Sequence, residues 1–268
     1  MSSVVSRRSL VLVTALSVVG YAAEPAAVKP LPQAHAHNDY EHDRPLLDAL
    51  DHGFCSVEAD IWLTPEGLLV AHDRKDIKPN RTLERLYLDP LRERIRANGG
   101  RVYRDGPPFY LLIDVKTDAD STYAALDKVL ARYADILTVT RDGKPEIKAV
   151  TVVLSGNRAI EMVSKEPVRY VGIDGRPDDL DRNPPSALVP LISGNWTLLF
   201  KWKGDGPFPP AEKQKLADLV KRTHAQGRKL RFWATPENEA AWNELLSAGV
   251  DYVNTDKLDE LQKFLLAQ

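Results

Sequence analysis

Short apolar runs with strand-like alternation recur along the chain. They give way to longer stretches whose apolar residues return three and four positions apart. The first pattern marks strands and the second amphipathic helices. Residues 32–38 form the first predicted strand, and 44–52 a helix that Gly53 stops. Residues 56–63 alternate as a strand, and 68–71 return after Pro65-Glu66-Gly67. Helices are predicted over 83–97, 122–137, 157–164, 211–225, 238–248 and 258–266. Strands are predicted at 109–116, 149–154, 168–173, 188–192, 230–234 and 251–254.

About eight strands, most followed by a helix, imply parallel pairing with crossovers. The predicted fold is α/β, a single (β/α)8 TIM barrel over residues 23–268. An open doubly wound sheet is the alternative. No Gly-x-Gly-x-x-Gly follows any strand, so its dinucleotide-binding version lacks the phosphate loop.

Residues 1–22 read as a secretory signal peptide. Arg7 and Arg8 precede an apolar run over 9–20, and Gly20-Tyr21-Ala22 fits a small-x-small cleavage site. Ser6-Arg7-Arg8-Ser9-Leu10-Val11 also fits a twin-arginine signal. The expectation is a secreted or periplasmic protein, with an uncleaved N-terminal anchor as the other outcome. No later apolar run is long enough to span a bilayer. Thirty-six basic against 38 acidic residues give a net charge of −2, so no basic excess points to nucleic acid or an anionic membrane. Cys55 stands alone, which excludes an internal disulfide and a Cys-based zinc site and leaves a small buried side chain.

In a parallel barrel the chemistry collects at the C-terminal ends of the strands. Glu58 and Asp60, two apart, share a face of the second strand. Two carboxylates side by side repel unless a cation sits between them, and a hard divalent cation takes oxygen ligands. Asp114, at the end of the next strand, supplies a third carboxylate. His35 and His72, at separate strand ends, suit paired general acid and base. Lys116 beside the carboxylates balances charge or holds a phosphate oxygen. Trp233 ends the seventh strand and either lines the site or packs in the core. His42, His52 and His224 are read as structural or exposed.

These residues fall into an ordered run. It reads His35-x-His37-Asn38, then Gly53-x-x-Ser56-Val57-Glu58-Ala59-Asp60, then Leu69-Val70-Ala71-His72-Asp73. Trp233-Ala234-Thr235 and Ala248-Gly249-Val250-Asp251-Tyr252-Val253-Asn254-Thr255-Asp256 follow. The run resembles the superfamily of glycerophosphodiester phosphodiesterases and phosphatidylinositol-specific phospholipases C. The stretch His35-Ala36-His37-Asn38-Asp39-Tyr40, with Arg44-Pro45-Leu46, is most similar to the altered inheritance of mitochondria protein 6 group. The resemblance implies a TIM barrel that cleaves phosphodiesters with one Mg²⁺ or Ca²⁺ and two histidines. It places the first catalytic histidine on His35, with His37 as the alternate register, and the second on His72. It places the metal on Glu58, Asp60 and Asp114 and the family's lysine on Lys116; the expected substrate contacts are Lys116, Trp233, Asn38 and His37. Asp114-x-Lys116 is closer to the spider-venom phospholipase D branch than to the usual Glu-x-Lys. The implied partner is a small-molecule or lipid phosphodiester, bound by a monomer that needs no nucleic acid and no membrane span. Two rival readings stay open: a binding barrel without turnover, and a metal hydrolase similar to the amidohydrolase or histidinol-phosphatase type.

Overall fold

The computed structural model describes residues 28–268; the predicted leader, residues 1–22, lies outside the described residues. Eight barrel strands follow the chain: β1 (Leu31–Ala36), β2 (Phe54–Thr64), β3 (Phe109–Val115), β4 (Val150–Gly156), β5 (Val171–Gly175), β6 (Leu191–Asn195), β7 (Lys229–Trp233) and β8 (Val253–Thr255). They are parallel and neighbour one another in the order β7-β6-β5-β4-β3-β2-β1-β8. An isolated parallel bridge from Arg231 to Tyr252 joins the two outer edges. The molecule is the predicted TIM barrel, nearly closed, with the β7–β8 seam as its thinnest join.

Helices follow the strands: α1 (Leu47–Asp51), α2 (Asp89–Ala97), α3 (Ala119–Ala131), α4 (Ile160–Lys165), α5 (Asp179–Arg182), α6 (Trp196–Leu199), α7 (Pro210–Ala225), α8 (Glu239–Ala248) and α9 (Leu258–Leu266). Their apolar stripes explain their docking. α3 buries Tyr123, Leu126 and Leu130, and α7 buries Leu216, Leu219 and Val220, the three-and-four spacing of a core-facing helix. The Asn238 side chain accepts a hydrogen bond from Ala241 N at 3.0 Å and starts α8, as an N-cap residue does. The first eight residues of β2 are all buried, as expected where helices cover one face and the barrel interior the other. Inside the barrel, Leu112, Val153, Leu191 and Tyr252 form their own apolar cluster, the floor on which the polar site rests. Cys55 is buried and free, as expected. No helix among the described residues is long and apolar enough to cross a membrane.

Several boundaries differ from expectation. The helix predicted over 122–137 ends at Ala131, and a hairpin of Val139–Arg141 and Lys144–Glu146 follows. Asp142 (φ 49) and Gly143 (φ 77) form its tip, the paired positive φ angles of a two-residue hairpin turn. The strand predicted over 168–173 divides. Val168–Arg169 joins that outer hairpin, and only Val171 onward enters the barrel. The strand predicted at 188–192 starts at Leu191, because Pro190 has no N–H for a ladder.

Candidate active site

The alternation of strand side chains sorts the polar residues by depth. His35 lies inside the barrel, opposite Ser56 in register, and is 1% exposed. His37, two residues on, stands one layer higher at the mouth. Glu58 likewise lies below Asp60, and Asp60 pairs in register with Asp114, which pairs with Ser155 of β4. Of the sequence-predicted residues, His37, Asn38, Glu58, Asp60, His72, Asp114, Lys116 and Trp233 all line one pocket of about 290 Å³. His35 does not; it sits beneath the wall. A larger cavity of about 600 Å³ opens among the strand starts, near Tyr110, Val171 and Lys229. No carboxylate or histidine lines it, whereas the smaller pocket is lined by both.

Glu58, Asp60 and Asp114 each offer a carboxylate oxygen within 4.8 Å of the others. Burial, followed by the charge of Glu58, pushes the Asp60 carboxyl up to about 6. Burial also raises Asp114, although Lys116 partly offsets it. Glu58 behaves differently. Burial is the largest influence and works against its charge, but Arg231, His35 and His37 together outweigh it and hold the carboxyl well below the usual range. Arg231 Nη1 donates to Glu58 Oε2 at 2.8 Å, while Lys116 Nζ bridges Asp60 at 3.0 Å and Asp114 at 2.9 Å. Asp60 Oδ1 is buried without a hydrogen-bond partner among the described residues. A buried, unpartnered carboxylate oxygen between two other acids fits a hard cation by ligand chemistry. Among the described residues this is the one such cluster of three or more, and it contains no histidine. That composition differs from a histidine-rich two-metal site.

The three inner histidines are held differently. His35 Nε2 lies 2.7 Å from Arg231 Nη1, and its Nδ1 lies 2.7 Å from Ser56 Oγ. Arginine only donates, so Nε2 accepts and the proton sits on Nδ1. Burial, then the Arg231 charge, lowers the His35 pKa to about 4. It is therefore a neutral ring with both nitrogens engaged. His37 Nδ1 pairs with Asp256 Oδ1 at 2.8 Å. Burial opposes its charge, but the Asp256 hydrogen bond and the Glu58 charge win, and the pKa lies above the usual histidine value. His72 Nδ1 lies 3.1 Å from Asp60 Oδ2 and 3.0 Å from the Tyr40 hydroxyl. Neither His37 nor His72 has an Nε2 hydrogen bond to a described residue. His52 and His224 pair with Asp259 and Asp251 outside the pocket, in keeping with the structural reading.

Arg231, Tyr40, Arg176 and Ser155 were not singled out from sequence. Arg231 and Trp233 alternate on β7, so a charged residue at an inward position was the available signal. Tyr40 touches Asp60 at 2.7 Å and ties the loop after β1 to β2. Asn38, at φ 46, places its Oδ1 2.7 Å from the Tyr40 hydroxyl. Arg176 and Ser155 complete the wall.

Gly156 (φ +66) closes β4 against the site, where a Cβ would stand 2.5 Å from Asp114 Oδ1 and 2.6 Å from Val115 O. Gly156→Ala is expected to cost about 1–3 kcal/mol through backbone strain and to displace Asp114. Urea unfolding and a cation titration on that variant read both effects. Wild-type values in both would show that Asp114 is not positioned this way.

Residues 25–174 match the AIM6-like phosphodiesterase domain. The chain belongs to that family. Residues 229–259 match the glycerophosphoryl diester phosphodiesterase family as well. The chain is 32% identical to altered inheritance of mitochondria protein 6 of Eremothecium gossypii, over 88% of this chain and 70% of the relative. It is 28% identical to the Arthroderma benhamiae homologue, over 87% of this chain and 83% of that protein. Among solved structures, a glycerophosphodiester phosphodiesterase from Parabacteroides distasonis superposes with a TM-score of 0.55 at 17% identity, covering 89% of this chain and 98% of its own. The Agrobacterium tumefaciens glycerophosphodiester phosphodiesterase gives 0.51 at 16% identity, over 87% and 99%. The two superpositions show a shared barrel fold. The family assignment makes this a phosphodiesterase-type domain.

Proposed function

We propose that the chain is a divalent-cation-dependent phosphodiesterase in which His37 and His72 are the acid–base pair. The observation that carries this reading is the meeting, in one pocket of about 290 Å³, of three carboxylates and two histidines whose Nε2 atoms bond no described residue. Sequence resemblance gave the first histidine role to His35; its burial and its two occupied nitrogens favour His37 instead.

Glu58, Asp60 and Asp114 would hold Mg²⁺ or Ca²⁺, which supplies positive charge to a phosphoryl oxygen as negative charge grows. His37, with its raised pKa and its Asp256 support, starts protonated and gives its proton to the leaving alkoxide. His72 takes the proton of the attacking hydroxyl, either a neighbouring group of the substrate or water. Lys116, which bridges Asp60 and Asp114, would hold a phosphoryl oxygen once a bound cation neutralised those carboxylates.

A phosphodiester panel assayed with Mg²⁺, Ca²⁺ and EDTA tests the chemistry, and thermal unfolding tests the cation without a substrate. The folded pKa of Asp60, about 6, lies above its ordinary 3.8. The folded state therefore binds the extra proton, and stability falls as pH rises through that window. A cation removes the penalty at pH 7, whereas at pH 5 it must first displace the proton. The rise in Tm on adding Mg²⁺ or Ca²⁺ is expected to be larger at pH 7 than at pH 5. Turnover that survives EDTA, with no cation-dependent Tm shift, would overturn the cation role and leave Lys116 as the internal counter-charge.

A further inference from the structure

One wall of the pocket carries a cationic group, Arg176, for which the proposed chemistry has no use. Arg176 follows β5, and its Nη1 donates to Asp174 Oδ2 at 2.8 Å and to Gly175 O at 2.9 Å. Its Nε and Nη2 have no hydrogen bond to a described residue, although the residue lines the pocket. The guanidinium lies over the Trp233 ring, 5.0 Å from the centroid. Beneath it, Asp174 is fully buried and also accepts from Ser155 Oγ at 2.9 Å. A second guanidinium, Arg158, donates to the Asp174 carbonyl that Arg176 also reaches.

These contacts fix what the wall can bind. Arg176 is held at one nitrogen from below and by the ring from the side, so its remaining N–H groups are oriented at little entropic cost. Guanidinium groups only donate hydrogen bonds, and planar pairs of N–H groups match carboxylate and phosphate oxygens. Asp174, the nearest anion, is sealed beneath; its Oδ2 accepts from Arg176 and Ser155, and its Oδ1 is buried with no partner among the described residues. The Trp233 face, which would otherwise attract a quaternary ammonium group, is already capped by a positive charge.

We propose that Arg176, set by Asp174 and Trp233, binds a second anionic group on the substrate alcohol, so that the preferred diesters carry a phosphate or carboxylate there and a choline-type alcohol is disfavoured. This rests on the phosphodiesterase reading, because the diester phosphate itself must lie by Lys116 and the carboxylates.

The test compares glycerophosphoinositol 4-phosphate, glycerophosphoinositol and glycerophosphocholine as substrates of wild type, Arg176→Gln and Arg176→Lys. Wild type is expected to favour the phosphorylated alcohol over the unphosphorylated one by ~10- to 100-fold in kcat/KM, the worth of a charged hydrogen bond. In Arg176→Gln that ratio collapses toward one, Arg176→Lys retains part of it, and glycerophosphocholine is the poorest substrate of wild type. A wild type that favours glycerophosphocholine, or an Arg176→Gln variant that keeps the ratio, overturns the proposal. If no diester is turned over, the phosphodiesterase reading fails. Calorimetric titration with glycerol 2-phosphate then decides the anion site alone. Binding weakened ~10-fold or more in Arg176→Gln supports it, and equal or absent binding overturns it.

Discussion

His37→Ala and His72→Ala each lower phosphodiester turnover by ~10²- to 10⁴-fold, the range of a lost general acid or base, while the barrel stays folded. Both side chains sit at the mouth, and both are anchored through Nδ1 to a carboxylate. The pH profile separates them. Loss of His37 removes the limb on which the protonated form is required, whereas loss of His72 leaves that limb in place. The informative control is His35→Ala. That ring is buried between Ser56 and Arg231 and carries no proton to spare near neutral pH. Its removal is expected to lower stability and to weaken cation binding through Glu58, with both limbs of the pH profile retained. A His35→Ala variant that folds, binds the cation normally and still loses as much turnover as His37→Ala would return the catalytic role to His35.

Arg231→Met destabilises the fold by about 3–5 kcal/mol, the cost of leaving one member of a buried ion pair alone. The side chains of Arg231 and Glu58 are 4% and 9% exposed and lie 2.8 Å apart. Arg231 also reaches His35 and, at 3.2 Å, Asn254 Oδ1, so its loss strips several acceptors together. Without it the Glu58 carboxyl, now held far below the usual range, rises as burial takes over. Adding Glu58→Gln to Arg231→Met removes the stranded charge and restores part of the loss. Denaturant midpoints of the two single variants and the double variant give the coupling directly. A shift no larger than a surface substitution produces, about 0.5 kcal/mol, would mean that water or rearrangement already compensates Glu58.

The eight-fold alternation was legible because each βα unit carries two different periods, and Gly53 and Gly249 punctuate them as read. The carboxylates were legible for a related reason. Glu58 and Asp60 break a run of apolar residues at positions of one face, and a buried strand gives such residues only one place to point. What the sequence obscured was depth. His35 and His37 share a face, and period-two reasoning cannot say which layer meets the pocket. Burial and the Arg231 contact separate them. Arg231 itself was hidden within an apolar strand, where its partners come from β1, β2, β6 and β8, all distant in sequence. The outer hairpin carried a local signal, Asp142-Gly143, but its short flanking strands lacked the alternation that marks longer ones. Arg176 follows β5 in a segment of turn residues, and only the fold places it over Trp233.

The isolated bridge between Arg231 and Tyr252 ties the breathing of the wall to the pocket. A sheet edge with few ladder bonds opens at low cost, and the side chain that spans this edge is the one that steadies Glu58. Parting β7 from β8 withdraws the counter-charge of Glu58 in the same movement. A ligand that requires Glu58 in place thus selects the shut barrel. It slows amide exchange along residues 229–233 and 252–255 from within, without touching the edge it closes.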